Sequence, residues 1–218
     1  MSKRIIMLLA MLLALLPGCY NSLFSGPSTL ENPRYTRVAS YSKSGRIIPV
    51  VIDKNFSYND KVAIDNAINA WNYVLNGYVV MKAESYNFDM EVDVLKSIIK
   101  RRGLIILKVD HDSFLIPDGN SVQIYAVNGK TLAWANDIGG NKIWVVRDRF
   151  YPPDTFPIML HELGHILGAD HEKNIPENKE FLMYPYYERN KWRCIDGRAM
   201  EKVAYYQFIM PERLNYCY

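Results

Sequence analysis

The chain has 218 residues, of which 49% are hydrophobic and 22% charged, with a formal net charge of +3. That length can bury a core without help from metals or disulfides, and the composition excludes collagen-like, disordered and multi-span membrane classes. Lys3 and Arg4 fall in a segment expected to be removed, and the remainder is close to neutral, so charge offers no argument for a nucleic-acid partner.

Residues 1–4 form a short basic head, followed by an unbroken apolar run of twelve residues from Ile5 to Leu16. A membrane-spanning helix needs about 20 such residues. The shorter run behind basic residues is the pattern of a secretory signal, expected over residues 1–18. The string Leu16-Pro17-Gly18-Cys19 resembles a bacterial lipobox, which implies a lipidated Cys19 as the new N-terminus. Several acyl chains anchor a protein that one holds only weakly. The expected location is the bacterial cell envelope, exported and lipid-anchored to a membrane. An ordinary secretory signal with a secreted or periplasmic product is the other reading. With Cys19 lipidated, Cys194 and Cys217 remain, either as a disulfide or as two thiols.

Residues 19–45 are polar and Ser-rich, with Pro27, Pro33, Gly26 and Gly45, and read as a tether or a short pro-segment. Residues 46–218 read as one domain. Residues 47–52 form the first strand, and Pro49 argues for an edge or a strand start. A helix follows, capped by Asn59 or Asp60. Its apolar face is Ile64, Ala67, Ile68, Trp71, Val74 and Leu75, and Asn76-Gly77 ends it. Strands are expected at 78–83, 103–109, 122–126, 130–135 and 142–146, with a short helix at 92–100. Further helices are expected at 156–167 and 196–207, the last capped by Asp196. This order gives an α+β fold: a twisted sheet backed by helices, then a mostly irregular C-terminal part.

The string His161-Glu162-Leu163-Gly164-His165-Ile166-Leu167-Gly168-Ala169-Asp170-His171 contains three of the four histidines. His161 and His165 are one helical turn apart and leave the same face. Glu162 is rotated from His161 by about 100°, beside a metal rather than on it. Gly168 can adopt positive φ, end the helix and turn the chain, so His171 can return as a third ligand. Three protein ligands leave one position open, as in catalytic zinc sites.

This string resembles the extended signature of the metzincin metallopeptidases. Phe181-Leu182-Met183-Tyr184-Pro185 resembles their Met-turn, with Met183 under the metal. Among metzincins the chain is most similar to the matrixins over residues 46–207. Lys130-Thr131-Leu132-Ala133-Trp134-Ala135 resembles the matrixin edge strand that binds extended substrate, which implies substrate contacts at Leu132 and Ala133. Pro185, Tyr186 and Tyr187 would wall the pocket for the side chain after the cut. The resemblance implies a zinc-dependent endopeptidase acting on proteins or peptides, with Glu162 as general base. A catalytically silent, zinc-containing envelope lipoprotein that binds peptides or a partner is the alternative.

Two departures stand out. No cysteine switch is present, so latency has no counterpart of the matrixin kind. Trp134 stands where matrixins place a histidine of a second zinc site, and Trp144 occupies a similar place in the next strand. One zinc per chain is therefore expected. His111, between Asp110 and Asp112, reads as a solvated turn.

The lipobox reading predicts that Cys19→Ser abolishes lipid labelling and removal of residues 1–18. Intact-mass analysis checks it, and an unmodified Cys19 in the mature chain contradicts it.

Overall fold

The computed structural model describes residues 45–85, 100, 103–109, 121–189 and 193–210. The chain divides into residues 1–32 and 33–218, and every described residue lies in the second unit. Seven strands form one mixed sheet: β1 (Arg46–Ile52), β2 (Val79–Ser85), β3 (Leu104–Val109), β4 (Val122–Ala126), β5 (Thr131–Ala135), β6 (Lys142–Val146) and β7 (Tyr186–Tyr187). Their order is β2-β1-β3-β6-β5-β4-β7. The helices are α1 (Tyr58–Leu75), α2 (Thr155–Leu167) and α3 (Gly197–Gln207). The architecture is the expected α+β sheet backed by helices. No described helix is long and apolar enough to cross a membrane. Residues 92–99 of the expected short helix, His111 and its two aspartates lie outside the described residues.

β1 is not an edge strand. It pairs in parallel with β2 on one side and β3 on the other. Pro49 is tolerated for a positional reason. The Arg46 amide donates to Tyr78 on the β2 side, and successive amides alternate sides. Position 49 therefore faces β3, where pairing begins only at Val50.

The cap of α1 is Ser57, not Asn59 or Asp60. The Ser57 hydroxyl accepts from the Asp60 amide at 3.2 Å and donates to the Asp60 carboxylate at 2.7 Å. Asp60 is needed for a longer-range task. Buried at 2% exposure, it accepts from Arg147 Nε at 2.6 Å and from the Thr155 hydroxyl at 2.7 Å. Thr155 opens α2, so one carboxylate joins the starts of both helices. Two further bonds complete the frame. Trp71 Nε1 donates to the Leu160 carbonyl at 2.9 Å, and Asn72 bonds both backbone groups of Met81 at 2.8 Å.

The sheet's two faces are chemically distinct because residues two apart share a face. Ala133, Ala135, Ile143 and Val145 join the main core with α1 and α2. Trp134 and Trp144 are register partners on the opposite face. Their rings stack at 5.5 Å and 13°, closing a small cluster with Val109 and Val146.

Burial raises the Asp60 pKa, but hydrogen bonds from Ser57, Thr155 and Arg147 outweigh it and leave the group below its ordinary value. A carboxylate depressed in the folded state stabilises above its unfolded pKa, about 3.9, and loses that contribution as pH falls through the folded value. Asp60→Ala strands a largely buried Arg147, so it should cost about 3 kcal/mol at pH 7 in denaturant unfolding. The gap from wild type should narrow below about pH 4.

Candidate metal centre and active site

Every residue of α2 is buried, which is unusual for a helix carrying two histidines and a glutamate. The helix stops at Gly168, whose φ is 107°. A Cβ there would also fall 2.1 Å from the Tyr206 ring, so glycine is required twice over. The turn brings His171 back beneath the helix. The three Nε2 atoms then form a triangle with sides of 3.0 Å (His161–His165), 3.1 Å (His161–His171) and 3.1 Å (His165–His171).

The tautomers follow from the neighbours. His161 Nδ1 lies 2.8 Å from the Leu182 carbonyl and His165 Nδ1 lies 2.8 Å from the Ala169 carbonyl. A carbonyl only accepts, so both Nδ1 atoms carry the proton. Both Nε2 atoms then present bare lone pairs to each other. That arrangement repels unless a cation stands between them. Three nitrogens around one zinc at 2.0–2.1 Å would be about 3.3 Å apart at the tetrahedral angle, close to the observed triangle. The donor set, all imidazole, also suits zinc.

The electrostatics favour the same state. Burial, then the neighbouring His165 and His171, push the His161 pKa well below its ordinary value. Burial and His171 lower His165 to about 3. Burial lowers His171 to about 4, with Asp170 opposing. All three are neutral at pH 7 and available to a metal.

Glu162 is 0% exposed, and neither carboxylate oxygen has a hydrogen-bond partner. The backbone amides of Ile124 and Ala135 face it and favour its charged form, without reaching hydrogen-bond geometry. Burial dominates and raises its pKa well above the usual carboxylate value. An orphaned buried carboxylate on the helix that carries the imidazoles is costly as a structural feature and useful as a proton acceptor.

Met183 packs against α2. A Cβ on Gly164 would stand 2.7 Å from the Met183 sulfur, so the thioether packs against the helix between the two histidines. Gly164 thereby has a role that the sequence did not reveal. The Leu182 amide donates to Asp196 Oδ2 at 2.7 Å, while Asp196 Oδ1 caps α3 through the Ala199 amide at 3.0 Å. Asp196, expected only as a cap, therefore also fixes the peptide that orients His161. Lys202 donates to the Asp170 and His171 carbonyls at 2.8 and 3.0 Å and pairs with Glu172 at 2.9 Å. No sequence signal marked Lys202.

The expectation of an edge strand at residues 130–135 needs correction. β5 is not an edge. β4 covers it in antiparallel register and β6 flanks its other side. Leu132 and Ala133 are buried at 2% and 0% exposure. The physical reason is the hairpin at Asn128-Gly129, which folds residues 122–126 back onto β5. Pro185 and Tyr186 face β4 instead: the Pro185 carbonyl accepts from the Tyr125 amide at 2.8 Å, and Tyr186 pairs with Tyr125. Tyr187 is buried and donates to Asp154 at 2.8 Å, a tie to the start of α2. Cys194 is disulfide-bonded; its partner, Cys19 and Cys217 lie outside the described residues.

No protein-family model and no curated protein sequence matches the chain. Among solved structures, metalloproteinase-II from Bacteroides fragilis is similar at a TM-score of 0.43 and 17% identity. The match covers 82% of this chain, which spans only 59% of the length of that one. High choriolytic enzyme 1 of Oryzias latipes, a hatching-enzyme zinc-protease, is similar at a TM-score of 0.32 and 14% identity, covering 76% of this chain and 73% of that one.

Asp196→Ala should loosen His161 through Leu182. Outer-shell partners of metal-binding histidines are worth 10–100-fold in affinity, so zinc binding should weaken by about tenfold in a chelator-competition titration. The lost cap should cost about 1 kcal/mol of stability.

Proposed function

We propose that the chain is a zinc-dependent endopeptidase, matrixin-like in its site, that hydrolyses peptide bonds in protein or peptide substrates. The observation that carries this reading is the pairing of three converging imidazole nitrogens with a buried, partnerless Glu162 on the same helix. His161, His165 and His171 would hold one ion, with tautomers set by Leu182 and Ala169. A zinc ion there supplies Lewis acidity, which activates water and polarises a carbonyl near neutral pH. Glu162 takes the proton of the attacking water on a carboxylate oxygen and passes it to the leaving amine. Met183 holds the helix from below.

One ion per chain is part of the proposal. The stacked Trp134 and Trp144 stand where the matrixin resemblance puts histidines of a second site, and an indole offers only a donor N–H. We also propose export and lipid attachment at Cys19, which would hold the domain at a membrane of the cell envelope.

The test is cleavage of unfolded protein and quenched peptides by the purified, zinc-loaded chain. Chelator should abolish activity. Glu162→Gln should lower kcat by about 10²–10⁴-fold with zinc content unchanged by elemental analysis. Zinc loss in Glu162→Gln, or full turnover, contradicts the assignment. A zinc-loaded wild type with no turnover favours the silent binding protein.

A further inference from the structure

His161, Glu162 and His165 are all 0% exposed. A peptidase must bring a substrate peptide bond to those same atoms. Some element therefore has to give way, and the hydrogen bonding shows which.

α2 cannot move, because it carries the ligands and is tied to α1 through Asp60 and Trp71. β5 is an interior strand held by β6. Among the described residues the remaining cover is β4, which lies between two backbone edges. On one side Val122, Gln123 and Ile124 pair antiparallel with Ala135, Trp134 and Ala133. On the other, the Tyr125 amide donates to the Pro185 carbonyl at 2.8 Å, and Tyr125 and Ala126 run parallel to Tyr186 and Tyr187. A groove with a backbone edge on each side, one strand wide, is a site for strand addition by an extended peptide. Here a segment of the same chain fills it.

The placement along the groove is specific. Of the strand's five residues only Ile124 is buried, at 1% exposure, in the core cluster that also holds Leu160, Leu163 and Met183. Its amide faces the Glu162 carboxylate. The amine that Glu162 protonates belongs to the residue after the cut, so Ile124 stands where that residue would stand. Gly129, at φ 79°, closes the turn that joins β4 to β5.

We propose that β4 occupies the strand position in which this site takes its substrate, so the folded protein is self-occluded until β4 is displaced. Ile124 then stands where the residue after the cut would stand. This rests on the peptidase reading. A peptide competes with β4 for the same two edges, and its apparent affinity falls by the fraction of molecules in which β4 is released.

Two variants test this. Val122→Cys with Ala135→Cys joins directly opposed residues of β4 and β5, whose Cβ atoms lie within about 5.5 Å in such pairs, and can be locked by oxidation. The cobalt-substituted protein is probed with acetohydroxamate by absorption, and the zinc form with a quenched peptide carrying Ile after the scissile bond. The wild type under the same oxidant and reductant controls for the Cys194 disulfide. The locked form should show no hydroxamate response and at least about tenfold slower cleavage than the same protein reduced. Tyr125→Pro removes the bond to Pro185 and the Tyr125–Tyr186 ring contact, both on the β7 side of β4, and should raise kcat/KM about tenfold, mainly through KM, as expected when a minor open state becomes common. A strand with a merely structural role would lower the melting temperature in that variant with no gain in rate. Equal cleavage and equal hydroxamate response in the locked and reduced forms overturn the occlusion while leaving the peptidase reading intact. A hydroxamate response that follows the lock, with no cleavage in any form, keeps the occlusion and rejects the peptidase.

Discussion

Two imidazole lone pairs facing each other at 3.0 Å are the constraint on which the site depends. Backbone carbonyls on the far side of each ring impose it by taking the Nδ1 protons. The rings cannot rotate away without losing those bonds inside a dry core. A cation between the three nitrogens would relieve that repulsion. Such pre-organisation removes the ordering cost from metal binding, since the ligands are already neutral, aimed and close.

Holding that arrangement needs a rigid frame, and most of the conspicuous buried polar bonds serve it. Asp60 joins the first turns of α1 and α2 through Ser57, Thr155 and Arg147. Trp71 donates across the helix pair one residue before His161. Asp196 pins the Leu182 amide while the Leu182 carbonyl holds His161. Lys202 clamps the carbonyls of the loop that returns His171. Asp60, Trp71 and Asp196 are polar groups satisfied at low exposure, where a bond is strong and its loss costly. Gly164 and Gly168 complete the frame by omission, one admitting the Met183 sulfur and the other the Tyr206 ring.

The same closure creates a tension. Burial of Glu162 raises its pKa, but on the peptidase reading a sealed site admits no substrate. β4 is where the two demands meet. It completes the sheet and the core through Ile124, yet it lies along the two backbone edges that a peptide would need. In the self-occlusion proposed above, this strand would take the part of the cysteine switch that the sequence lacks.

Much of the site was legible in the sequence because its rules act within one or two helical turns. Residues four apart on a helix share a face whatever surrounds them, and a glycine after the last apolar residue stops a helix wherever it lies. The metal triad, Glu162, the stop at Gly168, the strand order of type and the Asp196 cap all follow from such local geometry. Met183 came from a resemblance in its flanking string, and the core explains it through contact with Gly164. What the sequence did not contain was pairing between distant segments. Pro49 read as an edge or strand-start signal, yet β1 is interior, and the proline is tolerated because β3 begins its ladder one residue later. Asp60 read as a cap, yet Ser57 takes that place and frees the carboxylate for Arg147 and Thr155. Leu132 and Ala133 read as an open edge, yet β4 lies over them. Strand neighbours are chosen by backbone hydrogen bonds that nearly any side chain permits, so the choice is made by the packing of the whole sheet and leaves little trace in the residues that make it.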